Sequence, residues 1–211
     1  MVELFVSAFV LGLLFNAMPG AIFTESVRRG MRGGFRAALA VQIGSLAGDL
    51  LWAVLGLTGA GVLFALPYVT TPLALLGAVL LAWIAVQALQ DALSPMPAFD
   101  PERALEKSHS ALATGAALSL SNPMNVTYWT GLGGTVTALG VANPGWEAFG
   151  VFLAGFMTSS VVWCFFCAAL IAGARRFISP LTWKVINLGC AAGLAYFAAL
   201  IAWRTLSPVG T

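Results

Sequence analysis

Six stretches of this chain are long and apolar enough to cross a lipid bilayer, and two of them carry a proline in their interior. A spanning helix needs about 20 mostly apolar residues. The stretches run near 2–27, 37–66, 71–90, 109–133, 146–174 and 181–203. The first contains Asn16-Ala17-Met18-Pro19-Gly20, within the charge-free run from Leu4 to Thr24, and the fourth contains Ser121-Asn122-Pro123-Met124-Asn125. A proline inside a helix removes one backbone hydrogen bond and clashes with the preceding turn. In hydrocarbon the freed groups are tolerated only where protein or a water-filled cavity satisfies them. A broken helix at membrane depth therefore marks a place where the fold opens inward. Two such breaks in matching positions of two halves point to the binding site of a transporter.

The chain is 60% hydrophobic and only 9% charged, whereas a soluble domain carries roughly a quarter charged residues. This composition predicts an all-α integral membrane protein with one transmembrane domain over 1–211. The apolar runs are continuous rather than alternating, which argues against a β-barrel. The first run is long enough to span, and Glu3 stands where a signal peptide has a basic region, so no cleavable signal is expected. A net charge of +2 says little about partners, and no nucleic-acid signature is present.

The position of the charges says more. Arg28, Arg29, Arg32, Arg36, Arg103, Lys107, Arg175, Arg176 and Lys184 fall in the first, third and fifth connections, and only Arg204 lies on the other side. Basic loops stay in the cytoplasm. This places loops 28–36, 91–108 and 175–184 inside and both termini outside. The charged linker 91–108, with Pro95, Pro97 and Pro101, divides the chain into halves 1–90 and 109–211. Three spans per half make the halves inverted relative to each other, each opening on a helix broken at proline. That 3+3 inverted repeat is the plan of many secondary transporters.

Two glycine pairs, Gly44 with Gly48 and Gly189 with Gly193, have the spacing that lets membrane helices approach closely. Gly is also common in membrane helices without that role. Trp146, Trp183, Trp203 and Tyr68 lie near segment ends and read as interfacial anchors, while Trp52, Tyr128 and Trp129 lie deeper. Pro67 and Pro72 are expected to bracket a short turn.

Asp49 is the foremost candidate for chemistry, because it sits near the middle of the second stretch. A carboxylate there costs on the order of 3 kcal/mol on insertion scales. It should face a cavity, be neutralised by a proton, or be bonded structurally to a neighbouring helix. The first two suit a proton carrier or a ligand for a substrate ammonium. Glu25 follows the first break and either lines the mouth of a pathway or sits at the interface near Arg28 and Arg29. His109 opens the fourth stretch, as a relay or as a solvated histidine.

Asn16, Ser121, Asn122, Asn125 and Thr127 flank the breaks and can bond either the freed backbone or a polar solute. A helix restarting after Pro19-Gly20 or Pro123 presents unpaired N–H groups and a positive dipole end, suited to a carboxylate. Such ends opposite Asp49 would match an amino acid zwitterion. Cys164 and Cys167 have CxxC spacing, readable as redox chemistry or as two small residues on a helix, and no second CxxC or His cluster completes a metal site. No nucleophile, cofactor or nucleotide motif is present, so an enzyme is not expected.

The pattern as a whole resembles the lysine exporter (LysE/RhtB) family of bacterial amino-acid efflux carriers. Residues 16–21 are similar to its Thr-Pro-Gly-Pro stretch, 28–37 to its basic glycine loop, and 44–49 to the Gly-rich start of its second helix, where an acidic residue is common. Gly77 with residues 80–83 is similar to its third helix, Gly115 followed by Asn122-Pro123 to its Asn-Pro-Lys site, and 189–200 to its last helix. The resemblance implies six helices, a homodimer, and export of amino acids or their derivatives driven by proton exchange or the membrane potential. Two positions depart: Ala21 replaces the second proline of Pro-Gly-Pro, and Met124 replaces the lysine of Asn-Pro-Lys. The rival readings are a cation or metal efflux carrier, a membrane redox protein using Cys164 and Cys167, and a membrane scaffold without transport.

Overall fold

A computed structural model describes residues 1–17, 20–57, 66–96, 108–122, 125, 128, 129, 136, 139 and 145–207. Pro19, Pro123, Met124, Thr127 and most of the charged linker, with Pro97, Pro101, Arg103 and Lys107, lie outside the described residues. Among the described residues six helical elements follow in order: α1 Val2–Ala17, α2 Ala21–Leu57, α3 Pro67–Leu93, α4 Ser108–Leu120, α5 Trp146–Arg175 and α6 Pro180–Leu206.

Among the described residues, four of these are long and apolar enough to cross a membrane: α2, α3, α5 and α6. α1 is apolar but has 16 residues and α4 has 13, about 24 and 20 Å of helix. The protein is an all-α helical bundle. Large apolar side chains such as Val79, Phe166 and Leu170 face outward, as a surface in lipid requires.

The basic stretch 28–36, expected as a loop, is helical except at Gly34. The helix that opens at Ala21 runs through Arg28, Arg29 and Arg32, and the chain reverses at Gly34, with φ 69° and ψ −152°. That positive-φ conformation is open to glycine at little cost. The arginines stay helical because their charges are met three and four residues back by Glu25, and from α3 by Asp91. Asp91 likewise belongs to the last turn of α3 rather than to the linker, and is buried.

Two further expectations are corrected. Pro67 starts α3 rather than bracketing a turn, because a first-turn position needs no N–H, and Pro72 lies inside the same helix. Trp183 is no interfacial anchor: it is 1% exposed and its indole N–H donates to the Asp91 carbonyl at 3.1 Å. Trp146, Trp203 and Tyr68 are exposed, as expected.

The helices pair as α1 on α5, α4 on α2, α2 on α5 and α3 on α6. Exchanging α1–α3 with α4–α6 leaves that pattern unchanged, so the packing is pseudo-symmetric. α2 and α4 meet backbone to backbone. A Cβ added at Gly44 would lie 2.1 Å from the Leu112 carbonyl oxygen, and one at Gly115 would lie 2.0 Å from that of Val41. Gly48 instead faces the Ser119 side chain, which an added Cβ would displace. By contrast, among the described residues nothing lies within 4 Å of a Cβ added at Gly189 or Gly193, so that pair joins no described helices.

Candidate functional site

The close approach of α2 and α4 creates the site. Because Gly48 has no side chain, Ser119 of α4 reaches Asp49 of α2. The Ser119 hydroxyl donates to Asp49 Oδ1 at 2.9 Å, and the Asn125 amide donates to the same oxygen at 2.9 Å. Asn125 is placed by its own backbone N–H, which bonds the Asn122 carbonyl at 3.1 Å, and by contacts of its amide with the Ser119 carbonyl and hydroxyl at 3.2 and 3.0 Å. The Asn122 amide donates to Asn125 Oδ1 at 3.4 Å. Asp49 is 5% exposed and Asn125 2%.

Among the described residues no Lys, Arg or His pairs with Asp49. A bond to a charged group contributes about 1.5–3 kcal/mol, whereas an ion in low dielectric costs several. The two donors therefore supply about 3–6 kcal/mol, comparable with that cost, but neither neutralises the charge. The carboxylate can accept a proton or a cation, and its hydrogen bonds hold it in place in either state.

The other expected residues divide between two places. The Asn16 amide donates to the Gly12 carbonyl at 2.6 Å and to Ser160 of α5 at 2.9 Å, tying α1 to α5 just before the first break. The Gly20 carbonyl accepts from the Thr24 N–H and hydroxyl, both at 2.9 Å. Glu25 lies elsewhere, fully buried in a charged cluster. Arg28 donates to its two oxygens at 2.7 and 2.9 Å, and Arg29 at 2.5 Å. The third nitrogen of Arg28 reaches Asp91 at 2.7 Å, and Arg32 bonds the other Asp91 oxygen.

The structure thus brings Asp49, Asn122 and Asn125 together, bonds Asn16 to α5, and places Glu25 among the arginines. Pro19 and Pro123 lie outside the described residues. His109 is exposed at the start of α4. Cys164 and Cys167 are buried free thiols, and Cys167 accepts from the Gln42 amide at 3.4 Å.

Sequence reasoning missed Ser119 and Asp91. Ser119 is one serine among several, and its signal was the pairing of Gly48 with a small polar residue on a partner helix. Asp91 ends an apolar run and so read as linker. Its signal was helical spacing from Gln87, which joins it around Arg28.

The chain matches the family described as LysE type translocator over residues 13–205. It is 47% identical over 200 residues to the Chemotactic transduction protein ChpE of Pseudomonas aeruginosa, covering 95% of this chain and 98% of that relative. It is 26% identical over 174 residues to the Putative amino acid efflux protein YcgF of Bacillus subtilis, covering 82% of each. No solved structure matches.

Proposed function

This chain belongs to the LysE type translocator family, and from that premise we propose that it is a secondary carrier exporting amino acids or their derivatives, coupled to protons. The observation that carries this reading is Asp49, buried between α2 and α4 and held by two neutral donors with no basic partner among the described residues. A buried carboxylate in a membrane-spanning segment is expensive, and marks a solute or proton pathway by default.

In the proposed cycle, substrate enters from the cytoplasm and binds near the midplane between the breaks at Pro19 and Pro123. Asp49 accepts the substrate ammonium, while Asn122 and Asn125 on one side and Asn16 and Gly20 on the other contact the rest of the solute. A proton arriving from outside then neutralises Asp49 and releases the substrate there. Glu25, held between two arginines, takes part in coupling from the cytoplasmic end. The frame is six membrane-crossing helices in two inverted halves with both termini outside, working as a homodimer. The exchange symmetry of the helix pairs and the one-sided arginines and lysines support that frame.

The test is thermal stability of the purified protein with each common amino acid, at pH 6 and pH 8. A ligand that binds only the folded state raises stability by mass action. A shift specific to one class of amino acid, lost in Asp49→Asn while the unliganded variant melts as the parent does, is the expected outcome. A stable protein that responds to no amino acid would defeat the reading.

The relative named as a chemotactic transduction protein favours a second reading, a membrane protein that serves signalling without moving a solute. Proteoliposomes separate the two. Under the second reading, preloaded vesicles containing the protein lose no amino acid faster than empty ones.

A further inference from the structure

The charged cluster around Arg28 crosslinks three helices at the end of the bundle that carries the arginines. Within α2, Arg28 holds Glu25. From α3 it holds Asp91 at 2.7 Å and Gln87 at 3.3 Å. Arg29 reaches Thr114 of α4 at 2.9 Å. Glu25, Arg28 and Asp91 are 0, 3 and 8% exposed. Paired charges can remain dry, but separated ones each need water. Such a cluster has two favourable arrangements, closed and dry or open and hydrated.

Behind it lies a run of buried polar groups that helix packing does not require. The Gln42 amide donates to the Ser26 hydroxyl at 3.1 Å, linking the two segments of α2 on either side of Gly34. Ser45 is one turn further on, its hydroxyl bonded to the Gln42 carbonyl at 2.7 Å. Ser26, Gln42 and Ser45 are all at most 5% exposed. Gln42, Ser45 and Asp49 share one helical face, at spacings of three and four. Polar side chains inside a membrane helix face a pathway more often than lipid.

We propose that Arg28, bonded to Glu25 and Asp91, is the inner gate of this carrier, and that Ser26, Gln42 and Ser45 line the route it closes, down to Asp49. This rests on the transport reading above. It adds three residues to the pathway, and makes opening depend on separating Arg28 from Asp91. Arg32, the second and more exposed partner of Asp91, reinforces the closure from the rim.

The experiment uses the full chain with Cys164, Cys167 and Cys190 replaced by Ala and Ser45→Cys as reporter, in inside-out membrane vesicles. Its readout is the rate of reaction with a membrane-impermeant maleimide. The parent should react slowly. Asp91→Asn should react at least about tenfold faster, the scale of a population shift when a buried charge pair is lost. Asp91→Glu should restore the slow rate. Arg32→Gln should accelerate it less, and decides the question alone if Asp91→Asn does not fold. Parent rates in every variant that elutes as folded protein would overturn the gate. The measurement involves no solute, so an opening gate in a protein that answers to no amino acid would refute the transport reading separately.

Discussion

At the scale of single residues, the buried acids differ in what holds them: neutral donors at Asp49, arginines at Glu25 and Asp91. Asp49 keeps its position through Ser119 and Asn125, so Asn at position 49 retains a bonded oxygen and should cost little stability while removing the charge. Ser119→Ala takes away one of the two donors. It should weaken ligand-dependent stabilisation without abolishing it, by about 1–3 kcal/mol, read from the ligand concentration needed for half the thermal shift. Arg28→Ala is the opposite case. It leaves Glu25 and Asp91 buried without their shared partner, and breaking a buried pair costs about 3–5 kcal/mol, so melting should fall sharply with or without ligand. Equal melting of Arg28→Ala and the parent would contradict the buried pairing. Asp49 was legible in the sequence because any carboxylate amid apolar residues must be explained. Asn125 was legible beside the second break, but Ser119 was not, because one serine among several is unremarkable and only the crossing of α2 over α4 selects it.

At the scale of elements, glycine acts in three different ways. At positions 44 and 115 it permits contact between backbones, so Gly44→Val or Gly115→Val should force α2 and α4 apart. The expected results are a marked loss of melting temperature and loss of the Asp49-dependent ligand response together. At position 34 glycine supplies a positive-φ, extended-ψ backbone that is essentially closed to other residues, and Gly34→Ala should cost about 1–3 kcal/mol in unliganded stability. At positions 189 and 193 an added methyl meets nothing among the described residues, so Gly189→Ala should leave the melting temperature of the detergent-solubilised monomer unchanged. Sequence spacing proposed the same role for both GxxxG pairs. Spacing states only that two glycines share a helix face, and the direction of that face is set by tertiary packing. The same limit applied to residues 28–36, whose glycines and arginines read as a loop. Ion pairs with Glu25 and Asp91, one of them 63 residues away, keep the arginines helical.

At the scale of the whole molecule, the four principal helix pairings exchange between the halves, while among the described residues α2 also meets α6 without a comparable contact of α5 with α3. If both termini lie outside, as proposed, a tag at either end of the chain should be reached by protease in intact spheroplasts and protected in inside-out vesicles. Protection of either tag in spheroplasts would reverse the topology. The chain's own order of residues determined that this is a helical membrane protein with a carboxylate, Asp49, inside one of its apolar stretches. Those properties follow from local transfer energies, which depend on what a segment contains and not on its neighbours. The tertiary structure alone decided that Asp91 is buried against Arg28, that Ser119 reaches Asp49, and which glycines touch another helix. Each of these depends on atoms brought within about 3 Å from distant parts of the chain, the range over which hydrogen bonds and steric contacts act.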